Sequence, residues 1–176
     1  NKLTNEVIAK FEAANPDIRL HIHIAGDDAT IALDSSGDSL HRRGYRQDSV
    51  DAPLNEVLAA GMILMTGWHG ESDLIDPMDG SGTIAIEAGL IARNISPGVF
   101  RKSFAFEKWP DFDKELFEDI YNDDSQERPF EHHIYAYDID MKAVNTARMN
   151  VKAAGLSQDI SVEQQDFKDF KKPAEK

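Results

Sequence analysis

Residues 74–92 read LIDPMDGSGTIAIEAGLIA. A short apolar run ends in Asp76 and Pro77, turns through Gly80-Ser81-Gly82, and continues over 83–92 with Ile84, Ile86, Leu90 and Ile91 on the inward face of a helix. The same grammar repeats downstream. HHIYAYDID (132–140) is a strand ending in acids. MKAVNTARMNVKAAG (141–155) is a helix with Asp140 as N-cap and Gly155 just past its end, and ISVEQQDF (160–167) is a further strand. With the helix expected over 53–68, the order is helix, strand, helix, insertion, strand, helix, strand. Elements alternating in this way imply an α/β fold with a parallel sheet covered by helices.

The rest of the chain is organised differently. Residues 5–14 carry Val7, Ile8 and Phe11 at helical spacing, with Thr4 as cap and Asn15-Pro16 as stop. Ile18, Leu20, Ile22 and Ile24 then alternate with Arg19, His21 and His23, which predicts a half-buried strand. Gly26-Asp27-Asp28 turns the chain into a second strand, 30–33. His21 and His23 share a face but lack a third ligand, so no metal site is expected. In the helix over 53–68, the spacing puts Leu54, Val57, Leu58, Gly61, Met62 and Met65 on one buried face, the methionines filling core. Residues 94–131 form an insertion in which Phe100, Phe104, Phe106, Trp109 and Phe112 precede a stripe of Leu116, Phe117, Ile120 and Tyr121. Packing of these aromatics on the domain is the expectation; a base-stacking platform is the sharper alternative, opposed by the acids around it.

Charge and composition exclude several classes. With 41% hydrophobic and 29% charged residues among 176, the mix is that of a globular domain. No apolar run is long enough to span a membrane. The absence of cysteine excludes disulfides and thiolate metal sites and fits a reducing, cytoplasmic setting. A net charge of −13 argues, taken alone, against a nucleic-acid surface. The exception is the turn holding Arg42, Arg43 and Arg46.

Ligands of parallel sheets bind at the carboxyl ends of the strands. Here those ends carry Asp76, Asp138 and Asp166-Phe167. Gly80 and Gly82 allow close backbone approach before a helix N-terminus that favours an anion. Asp138 can accept from a ribose diol, Asp166 from an exocyclic amine, and Phe167 can cover a purine. Two ligands fit: a dinucleotide, whose fingerprint Gly80-x-Gly82-x-x-Ala85 matches, and S-adenosylmethionine. The second is favoured. No strand ends in an acid about 20 residues downstream, as the dinucleotide pattern requires, and Asp76 would repel a pyrophosphate yet suit an ammonium.

The segments DSSGDSLHRRGYR, APLNEVLAAGMILMTGW, DPMDGSGTIAIEAGLIA, FEKWPDFD and YAYDID resemble the bacterial THUMP-containing class I RNA methyltransferases, in particular the large-subunit ribosomal RNA guanine-N2 enzymes, whose relatives are also described as adenine-N6 DNA methylases. The resemblance implies that residues 1–36 are the end of a THUMP α+β domain closing in a β-hairpin, that 37–52 connect, and that 53–176 are the first part of a Rossmann-like methyltransferase sheet with the insertion at 94–131. It implies S-adenosylmethionine as cofactor. Asp76, Pro77, Met78, Asp79, Gly80, Ser81, Gly82 and Thr83 would cradle its methionine end. Asp138 would hold the ribose, Ile139 would lie against the adenine, Asp166 and Phe167 would hold the adenine amine, and Pro53 and Asn55 would lie alongside. Arg42, Arg43 and Arg46 would contribute to RNA binding.

Two departures matter. The family usually has Cys where Asp79 stands; a carboxylate there is expected to weaken cofactor binding unless it turns to the ammonium. The family's Asn-Pro-Pro-Tyr-type motif, which orients the target amine and stacks the flipped base, follows a fourth strand that lies beyond Lys176. No catalytic residue is therefore assigned here, and the chain alone is expected to be inactive. The expected activity of the intact protein is methyl transfer to an exocyclic amine, guanine N2 of 23S ribosomal RNA first. An adenine-N6 DNA methylase, a dinucleotide-dependent oxidoreductase and a non-enzymatic module that binds a basic ribosomal protein are the rivals.

Overall fold

The computed structural model describes residues 17–49 and 52–170; the helix expected over 5–14 lies outside the described residues. In chain order the elements are β1 (Arg19–Ala25), β2 (Asp28–Asp34), α1 (Glu56–Met65), β3 (Leu74–Asp76), α2 (Thr83–Arg93), α3 (Lys114–Tyr121), β4 (Ile134–Asp138), α4 (Met141–Ala153) and β5 (Ile160–Gln164), with 3-10 turns at Ala105–Lys108 and Phe167–Asp169. They divide into two units. Of the described residues, those up to Ser39 form one unit with Lys102–Tyr121, and those over 40–101 and from Asn122 onward form the other.

In the first unit β1 and β2 form an antiparallel hairpin in which Leu20 opposes Leu33 and Ile22 opposes Ile31. Its two-residue turn uses Gly26 at φ +62°, a conformation glycine adopts without strain. The alternation expected from the sequence is present, but the burial is not. Ile22 is 64% and Ile24 71% exposed, because two strands alone cannot shelter a face and no second layer covers it among the described residues. The insertion's aromatics pack on one another. The Phe117 ring lies 5.6 Å from those of Phe106 and Phe112 and 5.4 Å from Tyr121, and Phe104 stacks on Phe106 at 5.2 Å. They belong to the hairpin's unit: the Phe106 amide donates to the Ser35 carbonyl at 3.1 Å. The insertion is thus divided, its middle in one unit and its ends in the other.

The second unit is built on a parallel sheet of order β3-β4-β5. Asp76 pairs with Ala136, and Asp138 with Gln164. Ile134, Ala136, Ile160 and Val162 meet Ala85, Ile86, Leu90, Val144, Ala147 and Val151 from α2 and α4 in one core. Small residues let these layers approach: a Cβ on Gly89 would lie 2.8 Å from Leu156 Cδ1. Fully burying a side chain such as Ile86 contributes about 1.5–3 kcal/mol. Both α4 caps follow the sequence, Asp140 accepting from the Lys142 amide at 2.9 Å and Gly155 taking φ +71°.

The expected core face of the first helix is corrected. Glu56, Ala59 and Ile63 are buried, whereas Val57, Leu58, Met62 and Met65 are exposed, Met65 to 90%. Apolar residues occupy every side of α1, so periodicity could not select a face. The structure places the small Ala59 and Ile63 inward, and the methionines are not core filler in the described residues.

Candidate functional site

The glycine turn is held by backbone and side chains that the sequence keeps far apart. After β3 ends at Asp76, the Asp79 amide donates to the Tyr137 carbonyl at 2.8 Å, and the Gly80 amide donates to Asp138 Oδ2 at 2.9 Å. Both bonds fasten the turn to β4. Gly80 and Gly82 sit at φ +62° and +91°, where a side chain would be strained. Gly82 also lets α4 come close: its absent Cβ would lie 3.4 Å from Ala147 Cα. Ser81, Gly82 and Thr83 are buried, while Met78 is 72% exposed. The exposed part of the turn is therefore Met78, with Pro77 and Gly80 partly exposed on either side.

Arg46 underpins this turn. Its Nη1 donates to Ser81 Oγ at 2.9 Å, Nη2 to Thr83 Oγ1 at 3.0 Å and to the Leu54 carbonyl, and Nε to Glu56 Oε1 at 3.0 Å. Arg43 donates through Nε and Nη2 to the two carboxylate oxygens of the buried Glu87, which also accepts from the Tyr45 hydroxyl at 3.0 Å. Burial raises both the Glu87 and the Tyr45 pKa; for Glu87 the Arg43 bond opposes this. Only Arg42 of the three arginines has its residue exposed. Asn150, wholly buried, was not foreseen. Its Oδ1 accepts from the Gln47 amide at 2.8 Å, and its Nδ2 donates to the carbonyls of Asp48 and Ser81 at 3.0 and 2.9 Å. No local pattern marks it; an uncharged polar residue on the inward stripe of α4 was the only signal.

The marked acids lie on neighbouring strand ends, in the order β3, β4, β5. Asp138 accepts from the Gly80 and Asp140 amides, both at 2.9 Å. Asp166, two residues past β5, accepts from the Lys168 amide at 2.9 Å. Asp76 Oδ1 accepts from the Met78 amide at 3.1 Å, but its Oδ2 has no partner. Asp79 is 8% exposed; its carboxyl faces the Asp76 side chain and the Ala85 amide, but neither of its oxygens has a partner in good hydrogen-bond geometry. Desolvation raises both pKa values, Asp79 well above the ordinary range, with Asp76 and Asp138 adding repulsion. Ile139 and Phe167 project at the same sheet end, 63% and 58% exposed. Pro53 is exposed, and Asn55 caps α1 by accepting from the Leu58 amide at 3.1 Å.

Orphaned carboxylate oxygens beside a glycine turn fit a ligand that carries positive charge at this point; exposed Ile139 and Phe167 fit a flat ring further along. A parallel sheet with a glycine turn after its first strand and acids at the following strand ends defines a nucleotide-binding α/β domain. Within that class the chain belongs to a family of methyltransferases: residues 43–176 match the family described as UPF0020, RMKL-like, methyltransferase domain. The "Ribosomal RNA large subunit methyltransferase K/L" of Saccharophagus degradans is 40% identical over 176 residues, covering 94% of this chain and 23% of that protein. The solved structure of SMU.472, complexed with SAH, superposes with a TM-score of 0.81 at 34% identity, over 98% of this chain and 46% of that one. A structure from Listeria monocytogenes, named a predicted N6-adenine-specific DNA methylase, has the same TM-score and identity, over 96% and 46%. The chain therefore spans under a quarter of the curated relative and under half of each solved structure. No helix among the described residues is long and apolar enough to cross a membrane.

Proposed function

We propose that the chain supplies the S-adenosylmethionine-binding part of an RNA methyltransferase whose substrate is an exocyclic base amine, guanine N2 of 23S ribosomal RNA being the leading choice. The observation that carries this reading is the run of acids on adjacent strand ends around a pinned glycine turn. Asp76 and Asp79 offer unbonded carboxylate oxygens to the amino-acid end of the cofactor. Asp138 holds the turn in place and faces the ribose, and Ile139, Asp166 and Phe167 flank the adenine. Bound there, the cofactor supplies an electrophilic methyl group on a sulfonium. This chain's own residues bind and orient it, and positioning is the larger part of such a displacement. The 176 residues contain no Asn-Pro-Pro tripeptide, and orientation of the target amine is assigned to none of them.

In this reading the hairpin is the end of a THUMP domain, and Arg42 contributes to RNA binding in the cytoplasm. Arg43 and Arg46 are engaged with Glu87 and Glu56 and act on RNA only through the shape of the turn. Calorimetric titration of the intact protein with S-adenosylhomocysteine and with NAD tests the cofactor; binding of NAD alone would overturn the reading. The name of the Listeria neighbour favours adenine N6 in DNA as the second reading. Methyl transfer to naked 23S ribosomal RNA against duplex DNA separates the two, and loss of RNA binding as salt rises is expected.

A further inference from the structure

Asp79-Gly80 is the only Asp-Gly pair in the 176 residues. A glycine nitrogen can close on the carboxyl carbon of a preceding aspartate because no Cβ shields it. The product is a five-membered imide ring. Closure needs a carboxyl that keeps its proton, so that water can leave, a carboxyl free to rotate, and a base within hydrogen-bond reach of the attacking N–H. All three meet at this turn. Asp79 is 8% exposed, and burial first, then repulsion from Asp76 and Asp138, raises its pKa well above the ordinary range. The groups that act on it are Asp76 from β3, Asp138 from β4 and the Ala85 amide of α2; none is a cation. Arg46 is engaged with Ser81, Thr83 and Glu56. No hydrogen bond of good geometry holds either Asp79 carboxyl oxygen against rotation. The Gly80 amide, at φ +62°, donates to Asp138 Oδ2 at 2.9 Å.

We propose that Asp79 and Gly80 form a self-modification site, in which the Gly80 nitrogen closes on the Asp79 side chain, Asp138 takes its proton, and the turn passes through a succinimide to isoaspartate. In the first step the Gly80 N–H bond breaks and the proton passes to Asp138. The nitrogen forms a bond to Asp79 Cγ, the Cγ–OH bond breaks, and the hydroxyl leaves as water with the proton that Asp138 took up. Water then adds to the imide. Opening at the side-chain carbonyl restores aspartate. Opening at the main-chain carbonyl gives isoaspartate, whose backbone runs through Cβ and Cγ and is one atom longer. The bonds that pin the turn, from the Asp79 amide to the Tyr137 carbonyl at 2.8 Å and from the Gly80 amide to Asp138, lie on either side of that added atom. The longer chain cannot keep both, so the turn comes away from β4. The modification stands on this geometry alone; its consequence, a loss of cofactor affinity as the protein ages, rests on the cofactor reading above.

Ageing the intact protein near pH 7, folded in buffer and unfolded in guanidinium chloride, tests this, with isoaspartate at residue 79 followed by peptide mapping and electron-transfer fragmentation. In the unfolded chain Asp79 is ionised and has no neighbouring base. Isoaspartate is therefore expected to accumulate about tenfold faster in the folded protein, tenfold being the gain in protonated carboxyl for each unit by which its pKa is raised. Equal or slower accumulation in the folded protein sinks the proposal. Asp138→Asn, which keeps an acceptor for the Gly80 amide, is expected to slow the folded protein toward the unfolded rate; an unchanged rate removes the base and overturns the proposal. If that variant does not fold, the comparison of folded with unfolded wild type decides alone. Calorimetric affinity for S-adenosylhomocysteine is expected to fall in step with the isoaspartate content. An affinity indifferent to it overturns the placing of the cofactor at this turn and leaves the modification standing, a separate result.

Discussion

Asp34 and Asp79 each lie at or just past the end of a strand, and the two units treat them in opposite ways. In the hairpin unit Asp34 accepts from the Ser36 amide and hydroxyl at 3.0 and 2.7 Å and from the Gly37 amide at 3.1 Å. Those bonds, the Ser36 hydroxyl foremost, lower its pKa to about 2. Asp79 is buried with no such bonds, and its pKa is raised. The contrast teaches what each carboxylate is for. One that finishes a turn is satisfied by its own neighbours; one left unsatisfied inside a pinned loop is, in the proposed function, the one that meets a ligand. The surroundings agree. The hairpin's strands are exposed, whereas Ser81, Thr83, Glu87 and Asn150 around the glycine turn are all buried.

The largest expected effect breaks the pinned side of this contrast. Arg46→Ala removes the partner of the buried Glu56 and the donor to Ser81 and Thr83. It should cost about 3–5 kcal/mol in chemical denaturation and loosen cofactor binding, while the hairpin amides keep their exchange protection. Asn150→Ala is next. It leaves the Ser81 and Asp48 carbonyls and the Gln47 amide without partners, for a loss of about 2–3 kcal/mol by the same measurement.

The pH dependence sharpens the comparison. The folded pKa of Asp79 lies above its unfolded value, so the native state holds the extra proton between the two. Stability from this group is fully present below about pH 3.9 and is lost as pH rises through the raised value. Asp34 has the reverse sign: its contribution is present above about pH 3.9 and disappears as pH falls through about 2. Melting curves of Asp79→Asn against wild type should therefore diverge on the neutral side, the variant being the more stable there. The smallest effect is that of Asp34→Ala, which should speed hydrogen exchange at Ser36 and Gly37 roughly fivefold and leave the glycine turn untouched. Equal changes in both units would show that the division drawn between them is false.

Much of this was legible along the chain because it is local. The hairpin pairing follows from alternation and a glycine turn. The α4 boundaries follow from Asp140 and Gly155, and the placement of Asp76 and Asp138 at strand ends follows from where the apolar runs stop; the third strand ends at Gln164, two residues short of Asp166. The exposure of both hairpin faces, the inward face of α1 and the allegiance of the insertion's aromatics were not legible. Each is set by what lies opposite, and a pattern that repeats every few residues carries no information about a partner many residues away.

The arginine turn makes the limit concrete. Three arginines in five residues read as a solvated basic patch, yet Arg43 reaches Glu87, 44 residues on, and Arg46 reaches Ser81 and Thr83, 35 and 37 residues on. The sequence by itself determined which elements form, in what order, and that acids would stand at the strand ends, since backbone geometry and capping depend on near neighbours. Only the tertiary structure decided which charges would be matched inside the molecule and which, as at Asp76 and Asp79, would be left waiting, because desolvation and pairing depend on distances that folding alone sets.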